Sequence, residues 1–171
     1  MDLKQFIRDV PDFPEPGIIF RDITPLLQNP AAYQDAVDQL AAAFLGDGID
    51  VVAGIESRGF VFAAPLAYML GLPLVPIRKP GKLPAARMSV EYSLEYGQGQ
   101  LDIHQDAVRP GQRVLVVDDL LATGGTATAA IELIEMLGAE VHGLAFLVEL
   151  GGLAGRERLK KHRVVSIVRY P

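Results

Sequence analysis

The chain has 171 residues, half of them hydrophobic and 22% charged, a balance typical of one globular domain rather than a disordered or fibrous protein. Its formal net charge of -5 argues against a protein that binds nucleic acid mainly by electrostatics, because phosphate backbones need a basic face. The absence of cysteine excludes disulfide frameworks and thiolate zinc sites, and no apolar run approaches the roughly 18 residues that span a bilayer.

The first half of the chain alternates helix and strand patterns. The opening segment MDLKQFIRDVPDF is broken up by charges and lacks the apolar core of a signal peptide, which favours a cytoplasmic protein without a membrane partner. Asn29 and Pro30 are typical of a helix start, and a helical apolar stripe follows them. The predicted elements are a helix over 31–45, a strand over 51–55, a helix over 60–70 kinked by Pro65 and ended by Gly71, and a strand over 72–77.

The second half begins with a break in the pattern. Residues 78–87, RKPGKLPAAR, are basic, rich in Pro and Gly and without periodicity, which predicts a mobile loop. SVEYSLEYG alternates apolar and polar residues like a half-buried strand, and LDIHQ can pair back with it as a hairpin. The remaining predicted elements are a strand over 114–117, a helix from about Thr126 to Leu137, a strand over Val141–Leu147 and a last strand in RVVSIVRY.

Alternating strands and helices with nearly continuous apolar strands predict an α/β fold whose parallel sheet is covered by helices. In such sheets, ligands bind beyond the carboxyl ends of the strands. This rule points to three stretches that follow predicted strands: ESRGF, RKPGK and DDLLATGGT.

The residues Ala122, Thr123, Gly124, Gly125 and Thr126, called the phosphate loop below, join a strand to a helix. The two glycines allow backbone N–H groups to turn toward one point, the threonines add hydroxyl donors, and the following helix contributes the positive end of its dipole. This combination is typical of a cradle for a phosphomonoester. An ordinary strand-to-helix turn remains the alternative, and the lysine of a P-loop is missing from the sequence here.

Two carboxylates, Asp118 and Asp119, come directly before the phosphate loop. Because they would repel a phosphate, they are expected to face another part of the same ligand, and a sugar diol offers two hydroxyl donors to such acceptors. A solvated turn is the alternative for the pair alone. Cations at the other predicted strand ends, Arg58, Arg78, Lys79 and Lys82, indicate a second anionic group, which a pyrophosphate on C1 of a 5-phosphorylated ribose would supply.

The same stretches resemble the type I phosphoribosyltransferases. VLVVDDLLATGGTA is similar to the phosphoribosyl-pyrophosphate motif of that family, and FPEPGIIFRDITPLL, GIESRGF, IRKPGKLP and YSLEYG resemble its adenine-using members. Together these motifs cover about residues 11–150 in the family's order.

The resemblance implies the type I phosphoribosyltransferase fold as a single domain over residues 1–171. Its parts are a mostly parallel central sheet flanked by helices, a small N-terminal hood over about 1–30, and a flexible catalytic loop and hairpin over about 78–97. It also implies transfer of the phosphoribosyl group from phosphoribosyl pyrophosphate to adenine, giving AMP and pyrophosphate in purine salvage. Mg²⁺ would be held mainly through the substrate rather than by a protein site, and the assembly would be a homodimer.

Roles for individual residues follow from the resemblance. The phosphate loop would hold the 5-phosphate, Asp118 and Asp119 would face the ribose hydroxyls, and the cations Arg58, Arg78, Lys79 and Lys82 would bind pyrophosphate. Ile19, Phe20 and Arg21 would bind adenine, with Phe20 stacking on the ring; core packing is the alternative for Phe20. Arg58, Glu95 and Tyr96 are the expected catalytic residues. Glu95 would exchange a proton with adenine N7, and Tyr96 would help to close the site; the polar face of a strand is the alternative for Glu95.

Three other functions stay open at the level of sequence. They are a phosphoribosyltransferase for xanthine, hypoxanthine or orotate, a regulator that senses phosphoribosyl pyrophosphate without turning it over, and a generic sugar-phosphate binder. The acidic charge argues against a sensor with an RNA-binding face, and a pure sensor would not require the loop that carries Lys79, Lys82 and Glu95. A generic binder leaves Arg58 and the basic loop unexplained. His104, His142 and His162 have no spacing typical of a metal site, and structural or surface roles are expected for them.

Overall fold

The computed structural model describes residues 1–93 and 97–171, which divide into two units, Met1–Gln39 and Leu40–Pro171. The first unit extends beyond the predicted hood, and the single domain over the whole chain stays a prediction. Within the described residues, no helix combines the length and apolar character needed to cross a membrane.

The first unit contains an antiparallel hairpin of two short strands, β1 (Arg8–Pro11) and β2 (Ile19–Asp22), which follows a 3₁₀ turn over Leu3–Phe6. Two cross-strand ion pairs occupy neighbouring positions of this ladder, Arg8 with Asp22 and Asp9 with Arg21. Opposite charges on directly paired positions favour this register over its neighbours.

Two helices follow the hairpin, α1 (Thr24–Gln28) and α2 (Pro30–Phe44). The predicted start of α2 is confirmed, because Asn29 Oδ1 accepts the backbone N–H of Ala32 at 3.0 Å and Pro30 is the first helical residue.

The second unit is built on a five-stranded parallel sheet with the order β4-β3-β7-β8-β9, flanked by helices. Its strands are β3 (Val51–Ile55), β4 (Leu74–Ile77), β7 (Arg113–Leu121), β8 (Glu140–Leu150) and β9 (Arg163–Tyr170). Its helices are α3 (Arg58–Leu70), α4 (Gly125–Met136) and α5 (Gly155–Arg158), with a 3₁₀ turn over Gly151–Leu153. The predicted parallel α/β architecture is therefore confirmed.

The central strand is longer than predicted. We expected a strand over 114–117 that ended before the two carboxylates, but β7 continues to Leu121. It continues because the parallel ladder with β8 persists, with Asp118 opposite Phe146 and Leu121 opposite Glu149. The acid pair is consequently part of the sheet rather than of a turn.

The predicted hairpin is confirmed as a separate antiparallel pair, β5 (Arg87–Ser93) and β6 (Gln98–His104). A bridge between Arg78 and Asp102 joins it to the chain after β4. The Asp102 carboxylate is fully buried, accepts a hydrogen bond from Gln100 at 2.8 Å and lies 3.2 Å from Arg87 Nε. The carboxylate contacts stabilise the hairpin internally, and the backbone bridge to Arg78 holds the hairpin beside the end of β4.

The predicted helix after β3 begins at Arg58, and Gly71 ends it in the left-handed conformation with φ of 67°, as expected from the sequence. Pro65 lies inside this helix. The helix packs closely on β3, where a Cβ added at Gly54 would lie 2.7 Å from Cβ of Ala63. The absence of a side chain at Gly54 therefore sets the distance between α3 and the sheet.

Replacing Gly54 by Ala should lower the free energy of unfolding by about 1–3 kcal/mol, because the added methyl group forces α3 away from the sheet. Urea unfolding followed by circular dichroism measures this loss. Gly152→Ala is the matched control, since its added Cβ meets its nearest neighbour at an ordinary 3.6 Å. Equal stability of the two variants would contradict the proposed role of Gly54.

Candidate active site

A cleft of about 340 Å³ lies where the carboxyl ends of β3 and β7 meet the first residues of α3 and α4. This is the edge at which a parallel sheet collects the ends of its strands and the positive ends of the following helices. The residues that line it are Glu56, Ser57, Arg58, Lys79, Tyr92, Leu101, the run from Asp118 to Ala127, and Phe146.

The phosphate loop forms one wall of the cleft. Gly124 is in the left-handed conformation with φ of 81° and precedes the first turn of α4, which has no side-chain hydrogen bond as a cap. The Oγ1 atom of Thr128 donates to the Gly124 carbonyl oxygen at 2.8 Å and holds this turn. The amide groups at the start of α4 therefore have no side-chain cap. They offer an anion N–H donors together with the positive end of the helix dipole.

The acid pair lies in the last residues of β7, directly before the phosphate loop. Asp118 and Asp119 are both buried, and the Asp119 N–H donates to Asp118 Oδ1 at 2.8 Å. Burial raises the pKa of the Asp118 carboxyl well above its usual value, and the neighbouring Asp119 charge adds to this effect. A Cβ added at Gly59 would lie 2.9 Å from Asp118 Oδ1, so α3 begins directly against this carboxyl group.

Arg58 supplies the cation that compensates Asp119. Its Nε lies 2.5 Å from Asp119 Oδ2, while half of the Arg58 side chain stays exposed to solvent. The pair joins the end of β3 to the end of β7 across the cleft. It leaves the guanidinium accessible to an anionic ligand that arrives from solvent.

Glu56 anchors the start of the basic loop. Its Oε2 accepts the backbone N–H of Lys79 at 2.9 Å and lies 3.2 Å from Arg78 Nε. Burial alone would raise the pKa of Glu56, but these donors outweigh it and hold the pKa below its usual value. The carboxylate therefore stays ionised and fixes the direction in which the chain leaves β4.

The cleft brings together most of the residues that the sequence proposed for phosphate, ribose and pyrophosphate. They are Arg58, Lys79, Asp118, Asp119 and the whole phosphate loop. Arg78 and Lys82 are not among the lining residues; the Arg78 guanidinium bonds to Glu56 and to the Lys82 carbonyl oxygen at 3.4 Å. Ile19, Phe20 and Arg21 belong to the first unit, and Glu95 and Tyr96 lie outside the described residues.

Several residues that line the cleft have no role predicted from the sequence, and two of them, Glu56 and Tyr92, make polar contacts there. Glu56 was passed over because a single carboxylate after a strand has no pattern of its own. Tyr92 was assigned to the apolar face of a half-buried strand, but its hydroxyl accepts a hydrogen bond from Thr126 Oγ1 at 3.3 Å. The alternation that placed Tyr92 on the inner face was the available signal.

The histidines make protein contacts. His142 lies 2.9 Å from an Arg113 guanidinium nitrogen and 3.4 Å from Asp47, and His104 Nε2 accepts the Ala85 N–H at 3.4 Å. Among residues 1–93 and 97–171, no group of three or more His, Asp or Glu side chains is placed to hold a metal ion.

Comparison with known proteins identifies the family to which the chain belongs. The model of the phosphoribosyl transferase domain matches residues 22–169. An adenine phosphoribosyltransferase of Thermosynechococcus vestitus is 59% identical over 170 residues, 99% of this chain and 100% of the relative.

Solved structures agree with the fold. Adenine phosphoribosyltransferase from Thermoanaerobacter pseudethanolicus superposes with a TM-score of 0.96 at 51% identity, covering 99% of this chain and 98% of that one. The Saccharomyces cerevisiae enzyme, complexed with an imino-altritol bisphosphate and adenine, superposes with a TM-score of 0.91 at 40% identity, covering 97% and 96%.

Replacing Asp118 by Asn should stabilise the fold increasingly as the pH rises. The pKa of Asp118 is raised in the folded protein, so above about pH 4 the unfolded chain releases this proton more readily. The wild-type protein therefore loses stability from that pH up to the raised pKa, and the loss persists above it. Asparagine does not titrate and avoids this loss.

Urea unfolding at pH 5 and pH 8 measures the effect. We expect the stability difference between Asp118→Asn and wild type to favour the variant more strongly at pH 8. Glu132→Gln, on an exposed position of α4, is the control and should differ little between the two values. An Asp118→Asn difference independent of pH would show that burial does not perturb this carboxyl group.

Proposed function

The chain belongs to the phosphoribosyl transferase family, and on that premise we propose that it transfers the 5-phosphoribosyl group of phosphoribosyl pyrophosphate to adenine, giving AMP and pyrophosphate in purine salvage. One observation of the structure carries this function furthest. The cleft places a glycine-rich helix start, a buried acid pair and a partly exposed arginine around one volume. These groups match the phosphate, the diol and the pyrophosphate of a single substrate.

The 5-phosphate would bind in the phosphate loop. There it would accept hydrogen bonds from the amides at the start of α4 and from the hydroxyls of Thr123 and Thr126. The ribose hydroxyls would then donate to the acid pair, which lies in the same cleft. Binding of both the phosphate and the ribose hydroxyls would hold C1 in a defined position within the cleft.

The pyrophosphate would leave toward Arg58 and Lys79, both of which line the cleft. As its bond to C1 lengthens, positive charge develops on the ribose ring in an oxocarbenium-like transition state, comparable in charge to glycoside cleavage. The carboxylate of Asp119 lies near that charge, while the cations stabilise the negative charge on the departing group. Arg78 and Lys82 would act from the rim of the site.

Adenine would bind through the first unit. Phe20 lies on β2 and makes an edge-on contact with Phe13, with 5.2 Å between ring centroids. An aromatic ring at this position would stack on the purine ring of adenine. The backbone of Ile19 and Arg21, the neighbouring residues of β2, would read the edge of the base.

Mg²⁺ would be carried mainly by the pyrophosphate and the ribose hydroxyls of the substrate. The carboxylates of Asp118 and Asp119 are hard oxygen donors, of the kind that this ion takes together with substrate phosphates and water. When bound, the ion neutralises charge on the pyrophosphate. Assembly as a homodimer stays a proposal that rests on the family resemblance, and a cytoplasmic location stays a proposal from the sequence.

The function is tested with the purified protein, phosphoribosyl pyrophosphate and Mg²⁺, to which adenine, hypoxanthine, guanine, xanthine or orotate is added separately. We expect AMP from adenine and no appreciable nucleotide from the other bases. A different nucleotide would retain the sugar-phosphate site and contradict the adenine assignment of Phe20. Binding of phosphoribosyl pyrophosphate without any product would instead favour a sensor.

Replacing Glu95 by Gln should lower kcat about a hundredfold or more, the usual contribution of a positioned general acid or base. The KM for adenine should change by less than about threefold, because the amide retains the size and polarity of the carboxylate. Steady-state kinetics with adenine as the varied substrate separates the two effects. Glu91→Gln on β5 is the matched control, and equal kcat values for the two variants would remove Glu95 from the mechanism.

A further inference from the structure

The rear of the phosphate loop rests on the backbone of Gly155, the first residue of α5. A Cβ added at Gly155 would lie 2.1 Å from the Ala122 carbonyl oxygen and 3.0 Å from the Gly124 nitrogen. From the other side, a Cβ added at Gly124 would lie 2.8 Å from the Gly155 carbonyl oxygen. Two backbone segments are thus in direct contact, with no room for a side chain on either.

The next residue, Arg156, ties this contact to the sheet. Its guanidinium donates to both Glu149 carboxylate oxygens, from Nε at 2.8 Å and from Nη2 at 2.6 Å. It also donates to the Val164 carbonyl oxygen at 3.0 Å and to Ser166 Oγ at 3.3 Å. One side chain therefore connects the start of α5 with the end of β8 and with β9.

Glu149 makes this connection rigid. The residue is only 6% exposed, and a buried carboxylate is costly unless it is paired and hydrogen-bonded. The hydrogen bond from Arg156 holds the pKa of Glu149 below its usual value, and the Arg169 guanidinium lies 3.3 Å from the same carboxylate. Displacing Arg156 would leave the buried carboxylate with the more exposed Arg169 as its remaining ion-pair partner, so the bidentate geometry favours one position of Arg156.

We propose that Arg156 and Glu149 are positioning residues that hold the phosphate loop in its binding conformation through the backbone of Gly155. Neither side chain lines the cleft, so they act on the substrate only through the loop. The proposal rests on the proposed function, since it assigns the 5-phosphate to that loop. Preorganised donors matter here because a displacement of about 1 Å can cost on the order of a hundredfold in rate.

The decisive variant is Arg156→Gln, which removes the bidentate pair and retains a polar side chain. We expect its Kd for ribose 5-phosphate, measured by titration calorimetry, to rise at least about tenfold. In steady-state kinetics, the KM for phosphoribosyl pyrophosphate should rise by a similar factor, while the KM for adenine stays within about twofold. Arg156→Lys, which keeps the charge but not the bidentate geometry, should fall between this variant and wild type.

Arg163→Gln is the matched control. Arg163 also pairs with a carboxylate, Asp47, and donates to a backbone carbonyl, that of Ala43, but it lies at the amino end of β9, away from the cleft. Its replacement should lower the thermal midpoint of unfolding and leave the Kd for ribose 5-phosphate unchanged. A separation of the two variants in Kd supports positioning, because general destabilisation would act on both.

An unchanged Kd in folded Arg156→Gln would overturn the proposal, as would an equal rise in Arg163→Gln. If Arg156→Gln does not fold, Arg156→Lys decides: a raised Kd supports the proposal, and an unchanged Kd overturns it. Failure of the proposed function is a separate result, since wild-type protein would then bind ribose 5-phosphate without producing AMP.

Discussion

The cleft depends on the burial of two adjacent carboxylates at the end of the central strand. Both carboxyl groups line the cleft, and the charges of Asp119 and Arg58 both act on Asp118. Asp119 is compensated by Arg58, whereas Asp118 is closely packed against the backbone of Gly59. The start of α3 must therefore lie directly at the end of β7, and this position in turn fixes one wall of the cleft.

An acidic protein can bind a ligand with two anionic groups because the groups close to the ligand matter more than the net charge. The formal net charge of -5 acts at a distance, but a salt solution of physiological strength screens charges beyond about 8 Å. Inside the cleft, nearby donors set the sign of the electrostatic potential. They are the amides at the start of α4, Arg58 and Lys79. The acid pair lines the same cleft, and Asp119 pairs directly with Arg58.

Sequence patterns predicted the parts of this arrangement that depend on local chemistry. Periodicity predicted the parallel sheet and the hairpin. Turn residues predicted the end of α3 at Gly71, the start of α2 after Asn29 and the strand-to-helix turn of the phosphate loop. The contacts between distant segments could not be predicted in this way. The length of β7 is set by its ladder with β8, and Glu149 and Arg156 form a pair through the packing of a segment that has no recognisable motif.

The phosphate loop is held from two sides, and the two supports differ in kind. On one side, Tyr92 and Ser93 of β5 contact its first helical residues, through the hydrogen bond with Thr126 and the close approach to Gly125. On the other side, the backbone of Gly155 packs so closely on the loop that no side chain fits between them. Apolar contacts are non-directional and would allow the loop to slide, whereas hydrogen bonds and backbone contacts define its position. The backbone contact with Gly155 therefore restricts the turn that leads into α4, and with it the direction of the amides at the start of that helix.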